Sequence, residues 1–330
     1  MEEKERRLYP MIFLDNSSQT PWGRVSYKIA DLGFVNSMVA EGWFGGNTLE
    51  ELMGTYMERV VGDDAFEYYG LQFPILIKEI HTSVWQPLQV NVPDGEAEQR
   101  YDSLGKAAMW HVLEAEPDAK LYLGLKRDVE PEDFYRRCME GRIEEILNEF
   151  HPVRGDSFTI EPGTVFAAGP GLTILEISES SELTFNIHDL GSNLSGDDSL
   201  FLEEAFDLIT FLKYSPAAER EEFKVTRMDL KDPLHIFSDQ PGPFSTYSCV
   251  SGEAIIQPGP GAESFTQVNF KAGQTVLVPS EVNDILLLPA REGTVLLETT
   301  VERRTDPDSY IGDSQPDSAD SPDPHLRIWN

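Results

Sequence analysis

Apolar and polar positions along the chain follow two rhythms. A period near two dominates, and a period near 3.6 appears in a few stretches. Residues 8–36 read as short strands and turns, with a turn at Pro21-Trp22-Gly23. Thr48-Leu49-Glu50-Glu51 has the form of a capping box, which predicts a helix over Leu49–Val61. Pro74–Ile80 is an apolar strand, and Pro87–Val92 alternates, setting Gln89 and Asn91 on the face opposite Leu88, Val90 and Val92. Ala107–Ala115 and Ala119–Leu125 flank Glu116-Pro117-Asp118 and predict a hairpin. Pro131–Phe150 reads as one helix with Phe134, Cys138, Ile143, Ile146 and Leu147 on its apolar side. Glycine turns separate short strands at Gly155–Ile160, Thr164–Ala168, Leu172–Ile177 and Leu183–Ile187, and Leu200–Leu212 is an amphipathic helix.

From Phe223 the chain returns to a strand–Gly–strand rhythm suited to a small β-barrel. Pro258-Gly259-Pro260-Gly261 and its neighbours form a hairpin loop, because no helix start follows to make a phosphate cradle. Residues Thr305 to Pro324 are rich in Asp, Ser and Pro and predict a disordered acidic tail, beyond which Leu326, Ile328 and Trp329 form a frayed end. The expected fold is mostly β, with two cupin-like modules (double-stranded β-helix or jelly-roll barrels) and helices between them. Its expected divisions are an N-terminal module over 1–190, a helical connection over 191–220, a C-terminal β module over 221–303 and a tail over 304–330.

Composition narrows the function. The 330 residues include 26 Lys+Arg against 58 Asp+Glu, a formal net charge of −32, and the sequence pI is about 4.4. Such a surface is a poor partner for nucleic acid or an anionic membrane, both of which need clustered cations. Only ten residues are Lys, a composition that fits either adaptation to concentrated salt or an ordinary acidic protein. Cys138 and Cys249 are too few for a disulfide framework or a cysteine metal cluster. No apolar run nears the ~20 residues of a membrane span, and MEEKERRLYP lacks the apolar core of a secretory signal, so the expected compartment is the cytoplasm.

Tyr9-Pro10, Pro21-Trp22-Gly23, FPILIKEI (73–80), GKAAMWHVLEAEPDAKLYLGLK (105–126) and GDSFTIEPGTVFAAGPGLTILEISESSELTFNIHDLG (155–191) are collinear motifs. The chain resembles the type I phosphomannose isomerases through them, over roughly residues 8–302. The resemblance implies a cupin fold and a pocket that interconverts mannose 6-phosphate and fructose 6-phosphate, moving a proton between C1 and C2 through an enediolate. It also implies a zinc ion held by Gln, two His and Glu.

At those ligand positions this sequence departs from the family. The family's Gln-x-His is Gln89-Val90-Asn91, its Lys-x-Glu is Lys106-Ala107-Ala108, and the His of its "GTVHA" is Phe166. Zinc favours Cys, His and carboxylate donors, and Gln89 is the one retained ligand. The family's Arg after "YDWG" is Ser192, and the Ser before the Gln-x-His strand is Pro87. Lys78 and Lys106, which the resemblance places in the pocket, are kept. They are the candidate catalytic or anion-binding residues, and Gln89, Asn91, Ala108, Phe166 and Ser192 are the candidate pocket residues beside them.

None of the six histidines makes a metal-spaced pair with another His or Cys. The expectation is therefore no cofactor, with zinc only where a site is rebuilt from others, such as His81, His188 and a carboxylate. Phe166 is expected to plug the space of the absent metal. The leading functional expectation is a family relative that has lost zinc catalysis and binds a sugar or sugar phosphate, or regulates the enzyme. The alternatives are an active mannose-6-phosphate isomerase using displaced ligands or a lysine base, and an interaction protein working through its acidic tail.

Overall fold

The computed structural model describes residues 7–192, 194, 200–216, 222–262 and 265–301; the expected acidic tail lies outside the described residues. The described residues contain twenty strands. The first twelve are β1 (Met11–Ile12), β2 (Asn16–Thr20), β3 (Gly23–Ile29), β4 (Ile75–Thr82), β5 (Leu88–Asn91), β6 (Ala108–Ala115), β7 (Leu121–Leu125), β8 (Leu147–Phe150), β9 (Ser157–Ile160), β10 (Val165–Ala168), β11 (Leu172–Glu179) and β12 (Thr184–His188). The remainder are β13 (Lys224–Leu230), β14 (Leu234–Phe237), β15 (Ser245–Ser251), β16 (Glu253–Pro258), β17 (Val268–Lys271), β18 (Thr275–Val278), β19 (Asp284–Pro289) and β20 (Thr294–Thr300).

Apolar positions at period two bury at least one face of most of these strands, and the strands close into two sandwich modules. In the first, a sheet ordered β2-β3-β4-β11-β6-β9 faces one ordered β12-β5-β10-β7-β8. Their inner faces share an apolar cluster that includes Leu76, Ile80, Trp110 and Ile174 from one sheet and Leu121, Leu123 and Phe166 from the other. The outer face of the five-stranded sheet, with Leu88, Val90 and Val165, packs under Phe134, Cys138 and Leu208. The second module pairs β1-β18-β15-β20-β13 with β14-β19-β16-β17 around Tyr247, Ile256, Phe270 and Leu296. A further cluster joins the modules. Ile75 and Ile177 from the first meet Phe244, Leu277 and Leu297 from the second, with Leu49, Leu52 and Val60 between them.

The fold is the expected mostly-β, cupin-like one, with corrections in detail. β6 and β7 flank the Glu116-Pro117-Asp118 turn but do not pair with each other. β6 pairs with β9 and β11, and β7 with β8 and β10 in the opposite sheet, so the expected hairpin is a sheet-to-sheet crossing. The expected helix over 131–150 ends at Glu140, where Gly141 takes a left-handed φ of 67°. A short 3₁₀ turn follows, and Leu147–Phe150 then joins β7 as an edge strand. The helix expected over 49–61 is two helices, Leu49–Tyr56 and Glu58–Val61, interrupted at Met57 with φ 49°. The helix expected over 200–212 is a single turn at Leu202–Ala205 and a 3₁₀ turn behind it. The short N-terminal strand β1 is hydrogen-bonded to β18, so the start of the chain is stitched into the second module. No helix among the described residues is long and apolar enough to cross a membrane.

The capping box is formed in full: Thr48 Oγ1 accepts from the Glu51 amide and Glu51 Oε2 accepts from the Thr48 amide. Thr48→Ala removes the first of these and is expected to cost about 1 kcal/mol. It should appear in urea unfolding as a lower midpoint with an unchanged slope.

Candidate functional site

Strand register determines what meets inside the first module. Tyr27 on β3 lies opposite Lys78 on β4, Lys78 opposite Glu176 on β11, and Glu176 opposite Trp110 on β6. Because side chains alternate across a strand, this row shares the inner face with Leu76, Ile80 and Ile174. Lys106 enters just before β6, where its amide is held by the Val92 carbonyl, and Glu182 enters from the segment between β11 and β12.

The four charges form one cluster. Lys78 Nζ lies 2.6 Å from Glu182 Oε1 and 3.2 Å from Glu176 Oε1. Lys106 Nζ lies 2.6 Å from Glu182 Oε2 and 3.4 Å from Glu176 Oε1. The Trp110 indole N–H donates to Glu176 Oε2 at 2.7 Å, and the Tyr27 hydroxyl donates to Glu182 Oε1 at 3.4 Å. Two ammoniums face two carboxylates, so the cluster is neutral as a unit, which is the condition for keeping ions this far from water.

The protonation states follow from the geometry. Burial alone pushes the Glu182 and Glu176 carboxyls up, but the two ammoniums outweigh it and hold both below the usual carboxylate range, Glu182 down to about 2. Burial pulls Lys78 down, and the facing Glu176 and Glu182 more than reverse it, so its ammonium is held above the ordinary lysine range. A lysine base needs the opposite shift.

The family ligand positions lie on the same inner face but carry different chemistry. Gln89 is paired in register with Phe166, and its Nε2 donates to Asn186 Oδ1 at 2.8 Å. Asn91 is wholly buried; its Oδ1 accepts from the Thr184 hydroxyl at 2.7 Å, and its Nδ2 has no hydrogen-bond partner. Ala108 is 0 % exposed, and Phe166 is 3 % exposed with its ring edge-on to Trp110 at 5.4 Å. Zinc requires lone pairs from a near-tetrahedral set. The Ala108 methyl and the Phe166 ring supply none, the Asn91 oxygen already accepts from Thr184, and Gln89 Oε1 alone does not make a tetrahedral set, so these residues do not fit the metal.

Ser192 is buried in a turn closed on Asp189, whose Oδ1 accepts from both the Ser192 hydroxyl and its amide. His81 is exposed, with Nδ1 3.2 Å from the Thr173 hydroxyl. Among the described residues no group of three or more His, Cys, Asp or Glu side chains is placed to hold a metal ion.

Sequence reasoning found the two lysines and missed Glu176 and Glu182. The signal was present in Leu172–Glu179, where Glu176 interrupts the apolar run Leu172–Ile177 of a strand whose neighbour carries Lys78.

Two outcomes are expected of the cluster. Glu176→Gln leaves two buried ammoniums facing one carboxylate and should cost about 3 kcal/mol or more. Lys78→Met combined with Glu176→Gln should cost at least about 1 kcal/mol less than the sum of the single variants, read in a urea double-mutant cycle. Because Glu182 titrates lower folded than unfolded, its contribution is full above about pH 4.5 and is lost as pH falls toward about 2. The stability gap between wild type and Glu182→Gln should therefore narrow as urea unfolding is repeated from about pH 5 to about pH 3.

Known proteins match this arrangement at the level of sequence and fold, although no family model matches the chain. A Bacillus subtilis protein described as a probable mannose-6-phosphate isomerase is 25 % identical over 277 residues, covering 81 % of this chain and 84 % of the relative. The crystal structure of mannose 6-phosphate isomerase from the same organism superposes with a TM-score of 0.75 at 18 % identity, covering 88 % of this chain and 99 % of that one. A zinc-bound mannose 6-phosphate isomerase superposes at 0.67 with 12 % identity, covering 89 % and 99 %. The chain is thus similar in sequence to proteins named mannose-6-phosphate isomerase and shares the cupin-like fold of solved mannose 6-phosphate isomerases.

Proposed function

We propose that this chain is a phosphomannose-isomerase-like cupin that has given up zinc catalysis at the family position and binds a sugar or sugar phosphate, as a binding or regulatory relative in hexose phosphate metabolism. One observation carries the proposal. Where the family's metal ligands stand, Ala108 and Phe166 are packed into a closed apolar cluster, and the neighbouring lysines are neutralised by Glu176 and Glu182.

Three features of the site support this reading. Moving a proton between two sugar carbons needs a base with a free lone pair and a group that polarises the adjacent oxygen. Lys78 is held protonated by two carboxylates, and Glu176 and Glu182 are held ionised with their oxygens turned toward ammonium, indole and phenol donors. The side chains are thus arranged to hold one another. Binding is the activity that asks least of them, since a pocket selects a ligand by shape and hydrogen bonds without moving protons.

The test is direct. Protein purified without chelators should contain zinc well below one equivalent, and it should not convert mannose 6-phosphate to fructose 6-phosphate with or without added zinc. Stoichiometric zinc with turnover would replace this proposal with the active isomerase.

A further inference from the structure

Resting on the sugar-binding reading above, we infer that the site takes an unphosphorylated polyol and rejects its phosphate ester. A cleft of about 860 Å³ opens beside the charge cluster, within the size range of small-molecule sites. Its walls include Asp31, Phe34, Glu50, Leu71, Ser181 and Glu182, and its described lining residues include no Lys, Arg or His. Glu182 belongs both to the cleft and to the cluster, with 23 % of its side chain exposed. An entering molecule therefore meets carboxylates first. Lys78 and Lys106, the cations nearest the cleft, are 6 % and 3 % exposed, and each is held by Glu182 at 2.6 Å. To pair with either, a phosphate would have to displace Glu182 and leave that carboxylate unpaired beside Glu176.

The start of the helix Leu49–Tyr56, which borders the cleft, offers a phosphate no better place. There the capping box satisfies the Glu51 and Thr48 amides internally, and Glu50 and Glu51 already place negative charge in the first turn. Asp31, 8 % exposed, adds a further carboxylate, held by the Phe73 amide and the Asn36 side chain.

The same lining suits hydroxyl groups. Carboxylates such as Glu50 and Glu51 on the cleft wall are acceptors, and a polyol supplies O–H groups to match them. Phe34, 73 % exposed, and Leu71, 56 % exposed, offer apolar surface to the C–H face of a sugar ring.

Calorimetry on the full chain with mannose, fructose, mannose 6-phosphate and inorganic phosphate tests this. Mannose or fructose should bind at least about tenfold more tightly than mannose 6-phosphate at low salt, because like charges brought together disfavour the ester. Raising salt toward about 1 M, where the screening length falls to about 3 Å, should narrow that ratio. Glu50→Lys, a substitution at an exposed position, should narrow it at low salt. Mannose 6-phosphate or inorganic phosphate binding as tightly as the neutral sugars would overturn this inference and leave the sugar-binding reading standing. No binding of any of the four at about ten millimolar, with no rise in melting temperature, would overturn both.

Discussion

Four charges share the inside of the first sandwich, and their mutual neutralisation is the constraint around which the site is built. An isolated ammonium in this position would either deprotonate or force the sheets apart. Lys78 and Lys106 do neither, because Glu176 and Glu182 face them at ion-pair distance. Trp110 and Tyr27 add hydrogen bonds to the same carboxylates. The row Tyr27, Lys78, Glu176, Trp110 runs straight across four adjacent strands, so sheet register and cluster geometry are one feature seen from two sides.

Around this cluster the positions that the resemblance assigns to metal ligands are packed into the interior. Phe166 and Ala108 join the apolar interior, Trp110 meets the Phe166 ring edge-on, and Asn91 turns its oxygen to Thr184. The cleft outside is negative, with Asp31, Glu50 and Glu51 on its walls. Overall charge and local charge therefore agree: the chain carries −32, and the cleft beside the cluster carries the same sign.

Much of the fold was legible in the sequence because it is encoded locally. The Thr48–Glu51 capping box and the alternation that sets Gln89 and Asn91 opposite Val90 need only a few adjacent residues, and both appear as expected. What was not legible depends on distant partners. Glu116-Pro117-Asp118 turns the chain, but β6 prefers β11, sixty residues away in sequence, to the strand beside it. Leu147–Phe150 has helical spacing, yet Gly141 ends the helix and β7 offers those residues an edge. The lysines stood out through the family resemblance. Their counter-ions did not, because only the register of β4 on β11 brings Glu176 to Lys78, and only the chain reversal after β11 returns Glu182 to both.

Crystals grown in zinc and measured at the zinc absorption edge test the central claim most directly. The account predicts no anomalous peak within coordinating distance of Gln89, with the Phe166 ring in place and Glu176 and Glu182 still paired to the lysines. A strong peak bounded by Gln89 and either carboxylate would contradict it.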